Sequence, residues 1–147
     1  MSNKKIIIAC DHAGLTLKNK IINFLKEENF EVTDNGTYNT DAVDYPVIAK
    51  DTAKKIANGD FEKGILICGS GIGMSIAANK ISGIRAVVCS DTTSARFSRL
   101  HNNANVIAFG GRTMGIEAVL YNLDIFLNTE FEGGRHQKRV EMYDKIL

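Results

Sequence analysis

Short runs of five or six residues, almost wholly apolar and rich in β-branched side chains, recur at 5–10, 64–68, 84–89 and 105–109. A strand with one wet face alternates apolar and polar residues; these runs do not alternate, so they read as strands covered on both sides. A more polar strand is expected over 30–34, ahead of the turn signal Asn35-Gly36. Between the runs, apolar residues recur at helical spacing. One set is Leu17, Ile21, Phe24 and Leu25; the next is Tyr45, Ile48, Ala49, Thr52, Ala53 and Ile56; a third is Ile116, Val119, Leu120, Leu123 and Leu127. Helices are further expected from the glycines of 69–73 to about Lys80, through Ala95 to Leu100, and from Arg135 to Leu147. Strands alternating with helices give an α/β fold: a single-domain, Rossmann-like, three-layer α/β/α sandwich over 1–147 with a five-stranded parallel sheet.

Composition narrows what such a domain can do. The chain has 147 residues, a net charge of +1 and no basic run, which argues against a nucleic-acid partner. No apolar stretch reaches the roughly 18 residues of a membrane span. The first five residues lead straight into a strand-like run, so no signal peptide is expected. The three cysteines, Cys10, Cys68 and Cys89, are odd in number and match no zinc spacing. Free thiols in a reducing cytoplasm are the simplest expectation. Pro46 is the single proline, and no linker or internal repeat interrupts the pattern.

The candidate chemistry centres on the 64–75 stretch, GILICGSGIGMS. Ligands of open parallel sheets bind beyond the carboxyl ends of the strands. Cys68 stands at such an end, and Gly69, Gly71 and Gly73 let backbone approach a ligand closely. Amides of the following helix would face the same spot, a setting that favours a thiolate and an anion. The plainer reading is a strand–helix turn with an inert buried cysteine. The same sheet edge should gather Asp11-His12, Ser90-Asp91 and Arg112. His12, His101 and His136 all fall at turns or helix ends, where they could move protons or simply be surface residues. Asp11 could bind sugar hydroxyls or move a proton, or only cap a helix; Asp44 could cap the helix that has Pro46 in its first turn. Arg135 and Arg139 share one helix face, as a phosphate clamp or as a solvated basic face. The fuller dinucleotide fingerprint and a Gly-Lys-Ser/Thr loop are absent, so a small phosphorylated substrate and no cofactor are expected.

Several blocks, in order along the chain, resemble ribose-5-phosphate isomerase type B. They are Ala9 to Gly14, Asp44-Tyr45-Pro46, Cys68 to Ser75, Asn79-Lys80, Arg85-Ala86, Ala95-Arg96, His101 to Val106 and Gly134-Arg135-His136. The resemblance implies an aldose–ketose isomerase that interconverts ribose 5-phosphate and ribulose 5-phosphate through an enediolate, without metal or organic cofactor. It implies that Cys68 is the base, and that Ser70 with the amides of Gly69 to Gly73, Ile72 included, holds the enediolate oxygen. Asp11 and His101 would open the furanose ring. Asn102 would bind a hydroxyl or the developing anion, with Tyr45 also at the substrate. His12, Arg112, Arg135 and Arg139 would hold the phosphate. Homodimers, sometimes tetramers, are implied, with His101 and part of the phosphate set supplied by the neighbouring subunit. Many relatives have threonine where this chain has Ser70, which keeps the hydroxyl. Others use a glutamate base, but the 74–77 segment MSIA carries no carboxylate. A hexose-6-phosphate isomerase (allose or galactose 6-phosphate) of the same family, and a non-catalytic phosphosugar-binding module, are the alternatives.

Overall fold

The computed structural model describes residues 4–145. Its strands are β1 (Lys5–Cys10), β2 (Glu31–Asp34), β3 (Lys63–Cys68), β4 (Ala86–Val88) and β5 (Val106–Gly110), all in one parallel sheet of order β2-β1-β3-β5-β4. The helices are α1 (Leu15–Glu27), α2 (Tyr45–Ala57), α3 (Ile72–Ala78), α4 (Thr92–Leu100), α5 (Ile116–Asn128) and α6 (Arg135–Glu141).

The strands that lack alternation in sequence are the ones buried on both faces. All six residues of β3 and all five of β5 are buried. On one face Ile6, Ile8, Ile65, Ile67, Ile107 and Phe109 pack against α1, α4 and α5. On the other, Ile7, Ala9, Leu66, Val106 and Ala108 pack against α2 and α3. Three layers result, as the pattern predicts. Each fully buried Ile or Leu contributes roughly 1.5–3 kcal/mol, so the central strands form a stiff frame.

Strand order sets where a ligand can enter. From β1 the chain moves outward to β2, then crosses back to place β3 on the other side of β1. Connections therefore leave β1 and β3 in opposite directions, and a crevice opens between their carboxyl ends.

Three elements, α3, β4 and α6, differ from the sequence reading. Helix α3 stops at Ala78, because the Asn79 side chain leaves the helix to pair with β4. Its Nδ2 donates to the Ala86 carbonyl (2.8 Å) and its Oδ1 accepts from the Ala86 amide (2.7 Å). An amide side chain thus occupies the place of a neighbouring strand, and the ladder of β4 covers Ala86–Val88 rather than 84–89. Helix α6 ends at Glu141 and a short 3-10 turn, Tyr143–Lys145, follows. The last two residues of the expected helix, and the N-terminal Met1–Asn3, lie outside the described residues. Asp44 precedes α2 without making a side-chain cap, while Asp91 caps α4 by accepting from the Ser94 amide (2.7 Å). Among the described residues no helix is long and apolar enough to cross a membrane.

Candidate active site

The crevice between β1 and β3 is where the chemistry-bearing residues converge. Cys10 pairs with Ile67, so Asp11 and Cys68 follow as neighbours across the sheet. The Asp11 amide still donates to the Ile67 carbonyl (3.0 Å), which extends the ladder by one bond. Asp11 Oδ1 accepts from the Ala13 amide (2.9 Å), so the residue does cap a turn, and its second oxygen is left for other work. His12 Nδ1 accepts from the Val43 amide (3.3 Å). That bond fixes the ring and makes Nε2 the nitrogen that can carry a proton towards a ligand.

Cys68 ends β3 with its sulfur turned into the glycine loop. The Gly71 N–H donates to Sγ at 3.1 Å. A backbone donor is thus aimed at the sulfur. Gly71 can do this because it lies at φ +80, and a Cβ there would stand 2.9 Å from the Phe109 carbonyl carbon. The Ile72 amide donates to Ser70 Oγ (3.2 Å). Two amides expected to face an anion directly are therefore aimed at the sulfur and the hydroxyl that would meet it.

Arg112 and Tyr45 close the same edge. On leaving β5, the Gly111 amide donates to the Cys68 carbonyl (2.8 Å) and the Arg112 amide to the Gly69 carbonyl (2.9 Å). The Arg112 side chain passes over Gly69. The Tyr45 ring lies against Gly73 so closely that a Cβ at Gly73 would stand 2.5 Å from it. One edge thus holds Asp11, His12, Tyr45, Cys68, Gly69 to Gly73 and Arg112.

The remaining expected residues are at the opposite edge of the same chain. Helix α4 starts beyond β4 and runs back, so His101, its C-cap, lies near the start of β5. There the Asn105 carbonyl accepts from Gly64 at the beginning of β3, which marks the amino edge of the sheet. Asn102 Nδ2 donates to the Tyr143 hydroxyl (2.8 Å). Arg135 and Arg139 are on α6, which follows the return of α5 to this edge and brings His136 into stacking contact with His101, ring centroids 4.4 Å apart. Asp11 and His101, expected to act as a pair, are not brought together within one chain.

Lys18 and Arg99 are buried cations that local sequence pattern does not single out. Lys18 is fully buried; its Nζ meets Asp34 Oδ1 at 2.7 Å and donates to the Thr37 carbonyl. The Cys10 amide donates to Gly36 (2.7 Å), and the Thr37 amide donates back to Cys10 (2.9 Å). Lys18 therefore locks the loop after β2 onto the residue before Asp11. Its signal was position: it stands three and seven residues before Ile21 and Leu25, on the apolar face. Arg99 is 4% exposed. It donates to the carbonyls of Thr129 (3.0 Å) and Ala104 (2.6 Å) and to Asn103 Oδ1 (3.0 Å), which shapes the turn carrying His101 and Asn102.

The three thiols have different surroundings. Burial pushes Cys10 and Cys89 up to about 11. Cys10 and Cys89 are 0% and 1% exposed, whereas Cys68 keeps 5%. Burial, then neighbouring His101 and Arg135, hold His136 below the usual histidine range.

Fold and site together define a doubly wound α/β protein with a thiol and a glycine loop at its topological switch point. The model of the Ribose/Galactose Isomerase family matches residues 6–143, and the chain belongs to that family. It is 51% identical over 143 residues to ribose-5-phosphate isomerase B of Escherichia coli, covering 97% of this chain and 96% of that protein. A galactose-6-phosphate isomerase subunit of Clostridium acetobutylicum is 39% identical over 143 residues, covering 97% of this chain and 83% of that protein. The structure of ribose-5-phosphate isomerase B from Clostridium thermocellum superposes with a TM-score of 0.94 at 46% identity, covering 96% of this chain and 95% of that one.

Proposed function

We propose that the chain is an aldose–ketose isomerase that interconverts ribose 5-phosphate and ribulose 5-phosphate, with Cys68 as the base. The observation that carries this is the sulfur at the end of β3, held by the Gly71 amide beside Ser70 and Asp11. The higher identity to the ribose-5-phosphate isomerase than to the galactose-6-phosphate isomerase subunit supports the pentose over the hexose substrate.

A proton next to a carbonyl is weakly acidic, so its removal needs both a base and a place for the charge. The Cys68 thiolate takes the C2 proton of the open-chain aldose. The C–H electron pair becomes the C1–C2 double bond, and the former carbonyl oxygen gains the negative charge. Ser70 and the loop amides of Gly69 to Gly73 hold that oxygen. The thiol then returns the proton to C1, and the proton that O2 gives up passes to the charged O1 as the C2 carbonyl forms. No electron leaves the substrate, so the balance needs no redox cofactor. His12 and Arg112 bind the phosphate from this chain. Asp11 begins ring opening, and the proton donor opposite it is His101 of a second copy, with Asn102, Arg135 and Arg139 arriving on the same edge. The active form in this reading is a homodimer in the cytoplasm. The opposite placement of the two residue sets supports it, because neither edge is complete alone.

The test is turnover of ribose 5-phosphate against allose and galactose 6-phosphates by wild type and Cys68→Ala. The expected result is preference for the pentose and a loss of roughly 10²–10⁴-fold in the variant. Full activity in Cys68→Ala would remove the base; better use of a hexose would move the substrate.

A further inference from the structure

The amino-edge cluster of His101, Glu132 and His136 does more than place one histidine. The geometry points to a binding site for a divalent transition-metal ion, zinc being the best match, formed by these three side chains. Each can offer one ligand atom, and the three atoms lie within 4.8 Å of one another. His101 Nε2 stands 4.0 Å from Glu132 Oε2. The independent observation is His136 Nε2, which is buried with no hydrogen-bond partner among the described residues, in a residue only 6% exposed. A buried ring nitrogen without a partner is costly to desolvate, and a metal ion would satisfy it.

The donor set selects the ion. Two imidazoles and a carboxylate with an open fourth position form a zinc-type site, whereas magnesium and calcium prefer all-oxygen sites. Zinc–nitrogen bonds of about 2.0–2.1 Å place tetrahedral ligands about 3.3 Å apart, so the cluster must contract by about 1.5 Å and the His101 ring must turn out of its stack on His136. The two outer ligands can do this: side-chain exposure is 31% at His101 and 56% at Glu132. The backbone already holds them together, since the Glu132 amide donates to Leu100 (3.1 Å), the residue before His101, and the His136 amide to Gly133 (3.0 Å). Arg135 and Arg139 add positive charge nearby. They weaken the site and keep the ion exchangeable.

Exchangeable binding has a consequence that rests on the proposed function. His101 is the ring-opening partner there, and a metal on its Nε2 removes the lone pair and proton it needs. Zinc then acts as a reversible inhibitor of turnover on the cyclic sugar. The site itself is independent of that reading.

The test uses full-length Cys68→Ala, which removes the competing Cys68 thiol, titrated with zinc chloride by calorimetry in chelator-free buffer. Cobalt(II) provides a visible ligand-field spectrum of the same site. One ion per chain is expected. Adding Glu132→Gln or His136→Gln should weaken binding at least about 10–100-fold, the range already seen for second-shell losses. No binding to Cys68→Ala, or equal binding after Glu132→Gln, overturns the site. In wild type, zinc should inhibit isomerisation and a chelator should restore it, while Glu132→Gln resists. Calorimetric binding without inhibition would keep the site and overturn the role given to His101.

Discussion

Cys10 and Cys68 end adjacent strands of the same sheet, one residue apart in register, yet their surroundings differ. Cys10 faces the α1 and α5 layer, completely buried, with its thiol pushed up to about 11 by desolvation. Cys68 faces the α2 and α3 layer and accepts a backbone N–H. Position at a strand end therefore does not make a reactive sulfur. One step of β-pleat chooses the face, and the loop that follows decides whether sulfur meets a donor or only hydrocarbon and a carbonyl. Cys10 Sγ donates only a long bond, to the Thr37 carbonyl at 3.9 Å.

The hardest test of the contrast is paired substitution. Cys68→Ala should cost roughly 10²–10⁴ in isomerase turnover. Cys10→Ala should keep turnover and lose on the order of 1 kcal/mol of stability, measured by urea unfolding. Next in size is Lys18→Met, which leaves the Asp34 carboxylate without its buried partner. A loss of about 1–3 kcal/mol is expected, since the Thr37 carbonyl and Asp34 lose their donor while water still reaches the 32% exposed Asp34 side chain. Because Lys18 holds the loop next to Cys10, that variant should also lower turnover with Cys68 untouched. A smaller, sharper contrast pairs Gly71→Ala with Gly59→Ala. Both glycines have positive φ, +80 and +89, but only Gly71 would also press a Cβ on neighbouring backbone. Gly59→Ala should cost about 1–2 kcal/mol from backbone strain alone. Gly71→Ala should cost more, and should impair turnover because the N–H to sulfur moves. The smallest effect is in pH. Cys10 and Cys89 hold their protons more tightly folded than unfolded, rising from 9.0 to about 11. Their contribution to stability is therefore complete below pH 9 and is lost as pH rises towards 11. Urea midpoints at pH 8 and pH 10.5 should differ less in Cys10→Ala than in wild type.

Much of this was legible in the chain itself. Unbroken apolar runs such as Ile6-Ile7-Ile8 identify a strand covered on both faces, and their alternation with helical spacing gives the layers. The glycines around Ser70 located the loop. What spacing could not supply was strand order and direction along each helix. Only the return of α4 and α5 reveals that His101, Asn102, Arg135 and Arg139 end far from Cys68 within one chain. The Asn79 side chain replacing a strand, and Lys18 hidden on an apolar face, are not legible because the helical pattern runs on through Asn79 to about Lys80 and local pattern treats Lys as solvent-exposed.

Proton exchange at the substrate carbon tests the central claim most directly. Ribose 5-phosphate incubated in deuterium oxide with wild-type protein should gain deuterium at C1 of the ketose and at C2 of the recovered aldose. Cys10→Ala should match it, and Cys68→Ala should show none above the uncatalysed rate. Deuterium uptake persisting in Cys68→Ala would mean that some other group takes the proton.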